Sequence, residues 1–396
     1  MKIIHVVPAF IPATGYGGGP TVAYELARVQ VQQGHDVCVF TTDANDQSSR
    51  LPAGFTHTDG IRIYYLRNLN NHLAYRYKLF LAPALLWAFR REFLDCDLVH
   101  MHDLRTFLNV VAYGYTKGSV PYVLQAHGVL PTGGRLSKWK SFFDRLIGNR
   151  IVKDAARLLA LNQREARAYT DMDADIAKIQ IVPNGIDRKK YEALPERGYF
   201  RRKYALGNLP VVLYLGRIHE SKGLDFLLHA FTNLIGKVGT ARLVIAGFDD
   251  GYLPQLKEIV EMLDLEERVI FCGYLSGDDK LAAFRDADVF VTPRFTGFPL
   301  TFLEAMACGL PIVMTDAGDT LDKIDGEAGI VVRYDIEQFG DALAKILLDS
   351  QVREKLHRGA VRFALRHDWC SVAENIDVAY QEALEVFREG VHRRRS

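Results

Sequence analysis

Three clusters in this sequence place residue types at spacings that chemistry could use. The first is Gly15-Tyr16-Gly17-Gly18-Gly19-Pro20, ahead of an apolar segment of helical period. Glycines there let backbone N–H groups approach an anion, and a helix N-terminus adds a favourable dipole. A loop with no ligand is the plainer alternative. The second is Gly216-Arg217-Ile218-His219-Glu220-Ser221-Lys222-Gly223, a polar turn with two cations five residues apart. Arg offers a planar fork and Lys a point charge, so both could meet one diphosphate; solvated surface charges are the alternative. The third runs from Pro293 to Pro311. A loop holding Thr296, Gly297 and Phe298 enters an apolar helix, with Leu300 and Thr301 in its first turn and Glu304 about one turn in. A carboxylate there can accept from vicinal hydroxyls such as those of a ribose, while the N–H groups of Leu300 and Thr301 face phosphate oxygens. A first-turn Glu that merely suits the helix dipole is the other reading, and the apolar surroundings weigh against it.

Some chemistries are excluded. The dinucleotide fingerprint needs G-x-G-x-x-G directly after its strand, but this loop follows Val7 by about seven residues and Pro20 takes the third glycine's place. Asp43, after the second strand, then has no nicotinamide cofactor to serve. The five cysteines lie far apart with no CxxC and no histidine at ligand spacing, which fits buried free thiols in a reducing compartment. No metal site and no tightly bound cofactor are expected.

The elements that must hold these clusters are legible from periodicity. Short apolar runs at Ile3–Val7, Val37–Thr41, Ile61–Tyr65, Leu98–Met101, Tyr122–Ala126 and Leu158–Leu161 read as strands. Helical patterns at Pro20–Gln33, Lys78–Phe93 and Lys138–Asp154 lie between them. The grammar restarts with Val211–Leu215 and a helix at Leu224–Leu234. Strands follow at Leu243–Ala246, Val269–Phe271, Val289–Thr292, Ile312–Thr315 and Ile330–Val332. Near-continuous apolar runs are what parallel strands buried on both faces show. The polar stretch from Pro183 to Gly198, with two prolines and two glycines, marks a domain boundary. The expected fold is α/β: two doubly wound, Rossmann-like domains facing each other across a cleft. The chain of 396 residues is 48% apolar and 24% charged, an ordinary globular composition, with a net charge of +1. Residues 1–195 carry 24 Lys+Arg against 17 Asp+Glu, and residues 196–396 carry 25 against 31. That asymmetry suggests two bodies with different partners, neither of them a nucleic acid.

Taken together, Gly-Arg-x4-Lys-Gly at 216–223, Asn184-Gly-Ile-Asp187 and the block from Phe298 through Glu304-Ala-Met-Ala-Cys-Gly-Leu-Pro311 resemble the family 4 glycosyltransferases. The similarity runs through nearly the whole chain in the right order. It implies a retaining, nucleotide-sugar-dependent enzyme of the GT-B fold that needs no metal. Residues 1–190 would bind the acceptor, residues 191–370 the nucleotide sugar, and the helix in 371–396 would cross back to the first domain. By the same resemblance Glu304 holds the donor ribose, and Arg217 and Lys222 bind the diphosphate. Gly17 and Gly18 approach the diphosphate and the transferred sugar, and His127 lies near that sugar. Asp103, at a similar strand end, is a weaker candidate on the acceptor side. Two departures stand out. Thr296 occupies the place of the first Glu of the family's E-x7-E element, which leaves donor identity open. Pro299 stands where Gly is common and removes an N–H from the loop.

The implied reaction moves a sugar to a hydroxyl acceptor, a glycan or lipid-linked sugar in polysaccharide or glycoconjugate synthesis. It is a front-face displacement after domain closure. A non-catalytic sugar-nucleotide-binding subunit, a nucleotide-sugar epimerase and a phosphorylase on the same scaffold are the alternatives. Residues 135–153 (RLSKWKSFFDRLIGNRIVK) carry six cations and one anion, with Leu136, Trp139, Phe143, Leu146, Ile147 and Ile151 near helical spacing. Such a helix either packs on its own domain with a solvated basic face or rests on an anionic membrane. The N-terminus reads as a strand and not a signal peptide, and the longest apolar run, Leu79–Phe89, is too short to span a bilayer. The expected location is cytoplasmic, with peripheral membrane contact through 135–153.

Overall fold

A computed structural model describes residues 1–13, 15–130, 137–317 and 324–395, with side chains described as far as residue 389. The chain forms two compact units, Met1–Asn184 with Trp369–Ser396, and Gly185–Asp368.

The first unit is built on an eight-stranded sheet. Its strands are β1 (Lys2–Val6), β2 (Asp36–Thr42), β3 (Gly54–Thr58), β4 (Ile61–Leu66), β5 (Leu98–His102), β6 (Tyr122–Gln125), β7 (Arg157–Ala160) and β8 (Ile179–Ile181). They lie in the order β3-β4-β2-β1-β5-β6-β7-β8. All neighbours are parallel except the β3–β4 pair. Alternation along the strands sends Ile4, Val6, Val99 and Met101 into one apolar core. Ile3, His5, His100 and His102 therefore face the other side of the sheet. There the Gly19–Gln32 helix packs through Ala23 and Ala27. The Trp369–Arg395 helix lies on the same unit, burying Ile376, Ala379, Tyr380 and Ala383. Arg157–Glu382 and His35–Asp377 contacts fasten it at 2.8 and 3.3 Å. Val378 and Val386 of the same helix face solvent.

The second unit has strands β9 (Val211–Leu215), β10 (Arg242–Ala246), β11 (Val269–Gly273), β12 (Val289–Thr292), β13 (Ile312–Thr315) and β14 (Gly329–Val332). They are parallel, in the order β11-β10-β9-β12-β13-β14. Both sheets thus reverse strand order beside their first strand, which is the doubly wound Rossmann-like plan. The chain leaves the first unit after Asn184 and returns at Trp369, earlier at each crossing than positions 190 and 370. A bridge between Ile186 and Asp368 pairs the two crossing segments within the second unit.

Four sequence expectations need correction. Both edge strands are absent from the expected set: β3 is exposed at every residue, and β8, Ile179–Ile181, is apolar at two of its three positions but too short to stand out. Only Leu85–Phe93 of the Lys78–Phe93 pattern is helical: Lys78 is the left-handed cap that ends a preceding helix, Asn71–Tyr77, and Pro83 sits just before the helix that starts at Leu85. Cys370 is exposed, whereas Cys38 and Cys96 are buried. The Lys138–Asp154 pattern is helical from Ser137, but a π-helical turn occupies Asp144–Gly148. Arg135 and Leu136 of that segment lie outside the described residues.

That π turn aims Asp144 inward, where Arg105 grips both its oxygens at 2.8 and 2.7 Å. The same guanidinium donates to the carbonyls of Val129 and Leu130, so it ties the loop after β6 to the helix. Arg105→Ala leaves a buried carboxylate unpaired and should cost about 3–5 kcal/mol, read from urea unfolding of the variant against the parent.

Candidate functional site

In the second unit the site begins at the carboxyl end of β9. Gly216 and Gly247, after neighbouring strands, pass so close that a Cβ on Gly247 would lie 1.7 Å from the Gly216 carbonyl oxygen. A short 3-10 turn at Glu220–Lys222 then leads through Gly223, at φ +68°, into the Leu224–Val238 helix. A Cβ on Gly223 would meet Pro293 Cβ at 3.2 Å and the Tyr334 hydroxyl at 3.1 Å. The Arg217–Lys222 turn is therefore packed directly against the loop that follows β12. Strands β9 and β12 are neighbours, so the two clusters meet where the strand order reverses. Ligands bind at such switch points in open α/β sheets.

The electrostatics of this corner are unbalanced. Lys222 is held down to about 8 by burial, with the Arg217 charge adding to the effect. Among the described residues no carboxylate pairs with it, while Arg217 is half exposed and bound to Asp250 at 2.7 Å. Arg294 stacks its guanidinium over the Tyr334 ring at 4.3 Å.

The loop after β12 is fixed by Thr315, whose hydroxyl donates to the Pro293 carbonyl at 2.5 Å, and by Phe298, which is buried and stacks on His367. Gly297 takes φ +71°, and Thr296 is exposed. Pro299 caps the Leu300–Ala307 helix without a side-chain bond, so the N–H groups of Leu300 and Thr301 have no acceptor within it. Glu304 already has partners. Its Oε1 takes a 2.7 Å bond from Lys280, and Tyr191, its phenol pushed up by burial and the Glu304 charge, hydrogen-bonds it too. Neither partner had a sequence signal, since Lys280 and Tyr191 are far from Glu304 in the chain and belong to no local spacing.

In the first unit the corresponding corner lies at the ends of β1, β5 and β6. Gly17 adopts φ +78° and Gly18 precedes the Gly19–Gln32 helix. Asp103 and His127 end neighbouring strands with φ of +60° and +55°, left-handed conformations that cost non-glycine residues energy. Burial pushes the Asp103 carboxyl up to about 6 against the pull of Lys78. Burial holds His127 down at about 4, so its imidazole is neutral. Behind it stand His102, His5 and His100, all buried. His100 and His102 alternate on β5, a period-two signal that places both on one face; His5 had no sequence cue. Facing nitrogens of His5, His100 and His102 lie within 4.8 Å of one another. Asp43 is a structural carboxylate, bonded to Arg50 at 2.9 Å and to the Asn68 N–H at 2.8 Å.

Comparison with known proteins matches most of the chain. The family described as "Glycosyltransferase Family 4" matches residues 16–190, and "Glycosyl transferases group 1" matches residues 209–349. A protein named D-inositol 3-phosphate glycosyltransferase from Acidothermus cellulolyticus is 29% identical, over 97% of this chain and 90% of its own length. One of the same name from Actinosynnema mirum is 28% identical over 98% of each chain. Among solved structures, sucrose-phosphate synthase from Thermosynechococcus elongatus superposes with a TM-score of 0.79 at 18% identity, covering 98% of this chain and all of its own. Anabaena HepE in complex with UDP superposes with a TM-score of 0.77 at 18% identity, covering 96% of this chain and all of its own. Both similarities establish the GT-B fold.

The Lys222 shift has a sign that can be tested without a ligand. Its folded value of about 8 lies below the usual 10.5, so the unfolded chain binds the extra proton between those values. The Lys222 contribution to the stability of the free protein therefore rises from pH 8 to 10.5, seen as the difference between parent and variant. Lys222→Met should abolish that rise and stabilise the free protein at pH 7 by ~1–2 kcal/mol, measured by denaturant titration across the range.

Proposed function

The chain belongs to the family 4 glycosyltransferases, and we propose that it is a retaining enzyme that takes a nucleoside diphosphate sugar on Gly185–Asp368 and moves the sugar to a hydroxyl. The observation that carries this reading is Lys222, a desolvated cation beside Arg217 with no carboxylate partner among the described residues. A diphosphate supplies the absent charge. In the reaction Lys222, Arg217 and the first-turn amides of Leu300 and Thr301 stabilise the charge that gathers on the departing diphosphate, the electrostatic part of catalysis. These groups balance the diphosphate charge in this reading, which invokes no metal ion. Glu304, steadied by Lys280 and Tyr191, accepts from the ribose hydroxyls. Thr296, Gly297 and Phe298 complete the donor side; Thr296 contributes a hydroxyl and no charge.

The first unit supplies the groups that meet hydroxyls: His127, with Gly17 and Gly18 on the loop after β1, and Asp103 on the acceptor side. No carboxylate stands at position 296 to serve as nucleophile, so retention follows from front-face displacement, with the leaving phosphate helping to deprotonate the acceptor. The relatives named for D-inositol 3-phosphate support a hydroxylated acceptor of modest size. HepE, crystallised with UDP-glucose, supports a uridine nucleotide as the first donor to test.

A membrane-bound acceptor would suit the Ser137–Asp154 segment. Trp139, Phe142 and Leu146 are exposed there at 44, 58 and 62%, beside exposed Lys138 and Arg145. Apolar anchors flanked by cations are what an anionic bilayer surface selects. Among the described residues no helix is long and apolar enough to cross a membrane.

Two measurements test this. In a thermal-shift panel of nucleoside diphosphate sugars one donor should raise the melting temperature selectively. With that donor Lys222→Ala should lose at least ~10²-fold in transfer while keeping its fold by circular dichroism. A shift without turnover would leave the inert-subunit reading, and unchanged transfer by Lys222→Ala would remove the diphosphate role. Separately, the parent should co-sediment with vesicles containing anionic phospholipid and not with neutral ones. Trp139→Ala with Phe142→Ala should weaken that binding about tenfold or more, by loss of buried apolar area.

A further inference from the structure

Six side chains in the first unit form one hydrogen-bonded column. Gln30 Oε1 meets His5 Nε2 at 2.8 Å, His5 Nδ1 meets His102 Nε2 at 2.9 Å, and His102 Nδ1 meets His127 Nε2 at 2.8 Å. At the far end Gln30 Nε2 donates to the Tyr380 hydroxyl at 3.1 Å, and that hydroxyl meets His100 Nδ1 at 2.6 Å. The residues come from β1, β5, the end of β6, the Gly19–Gln32 helix and the returning Trp369–Arg395 helix. The rings of His102 and His127 are coplanar within 2°.

Burial keeps these imidazoles neutral, with His5 and His127 each held down to about 4 and His100 and His102 lower than the usual histidine range. A neutral imidazole has one N–H and one lone pair, so each contact in the column must pair a donor with an acceptor. The Gln30 amide sets the direction. Its NH2 is spent on Tyr380, whose proton goes to His100, so its oxygen accepts from His5 Nε2–H. His5 Nδ1 then accepts from His102 Nε2–H, and His102 Nδ1 accepts from His127 Nε2–H. The column ends at His127 Nδ1, a buried lone pair with no partner among the described residues.

We infer that His5, His102 and Gln30 are positioning residues that fix the tautomer of His127, so that its Nδ1 accepts a hydrogen bond from a neutral hydroxyl and rejects an anion. The inference rests on the reading that His127 meets a substrate hydroxyl. A metal shared by His5, His100 and His102 is disfavoured by the geometry. Two tetrahedral zinc ligands at the usual bond length stand about 3.3 Å apart. The His5–His102 pair is closer, at 2.9 Å, and both His102 nitrogens are already bonded.

The experiment is nitrogen NMR of the histidine rings in the full-length, metal-analysed protein. The expected spectra show Nε2–H tautomers for His5, His102 and His127, with scalar coupling across both N–H···N bonds. Gln30→Leu removes the acceptor that sets the direction and should move the His127 proton toward Nδ1. Gln30→Glu keeps an acceptor and should leave the tautomer as in the parent, an ordering that packing alone would not produce. A parent His127 carrying its proton on Nδ1, an unmoved His127 in Gln30→Leu, or one bound zinc per chain that removes the couplings would each overturn the inference. Transfer by Gln30→Leu should fall about tenfold in kcat/KM, the worth of one hydrogen bond, and recover in Gln30→Glu. The ring spectra need no substrate. The expected tautomers in a chain that binds no nucleotide sugar would therefore sustain the column and sink the transferase reading alone.

Discussion

Beside β1, and again beside β9, the order of strands reverses, so the crossovers on either side leave in opposite directions and no helix covers the strand ends between them. The candidate site residues gather at these two gaps. The Gly15–Gly18 loop, Asp103 and His127 sit at one, and the Arg217–Lys222 turn with the Thr296–Glu304 segment at the other. Such a gap brings backbone close to backbone. Gly247 can pass the Gly216 carbonyl only because it has no Cβ, and Gly223 turns left-handed where Pro293 and Tyr334 leave no room.

The same gaps hold the energetically expensive features. Lys222 is desolvated beside another cation, Asp103 is a buried carboxyl, and Asp103 and His127 both carry left-handed backbones. The surrounding packing offsets these costs, and each group costs less once a ligand meets it. Glu304 is handled differently. Lys280 and Tyr191 hold it in place, and in the proposed function it meets hydroxyls and not charge. In the same proposal the uncharged Thr296 leaves that corner less acidic for an anionic donor than a carboxylate would.

Long-range contacts also join the first unit's site to the last helix. Tyr380 reaches Gln30 and His100 from 280 or more positions away in the chain, so the returning helix is part of the site's support as well as a cover for the sheet. Arg105 plays a similar role on the other side, holding the loop after His127 against the Asp144 turn.

The sequence by itself determined the buried strands, because Ile3–Val7 or Val289–Thr292 have only one way to hide a continuous apolar run. It also determined the turn clusters, because glycine and proline restrict backbone at single positions. Edge strands β3 and β8 escaped it, since β3 is exposed throughout and the Ile-Gln-Ile of β8 is too short a run to be told from a loop. The break at Pro83 was visible but outweighed by the periodicity around it. Tertiary structure alone decided which groups meet: Lys280 and Tyr191 at Glu304, Gln30 and Tyr380 at the histidine column, Arg105 at Asp144. Those partners are set by the register and crossing of elements distant in the chain, and hydrogen bonds of 2.6–3.1 Å depend on that placement and leave no trace in local spacing.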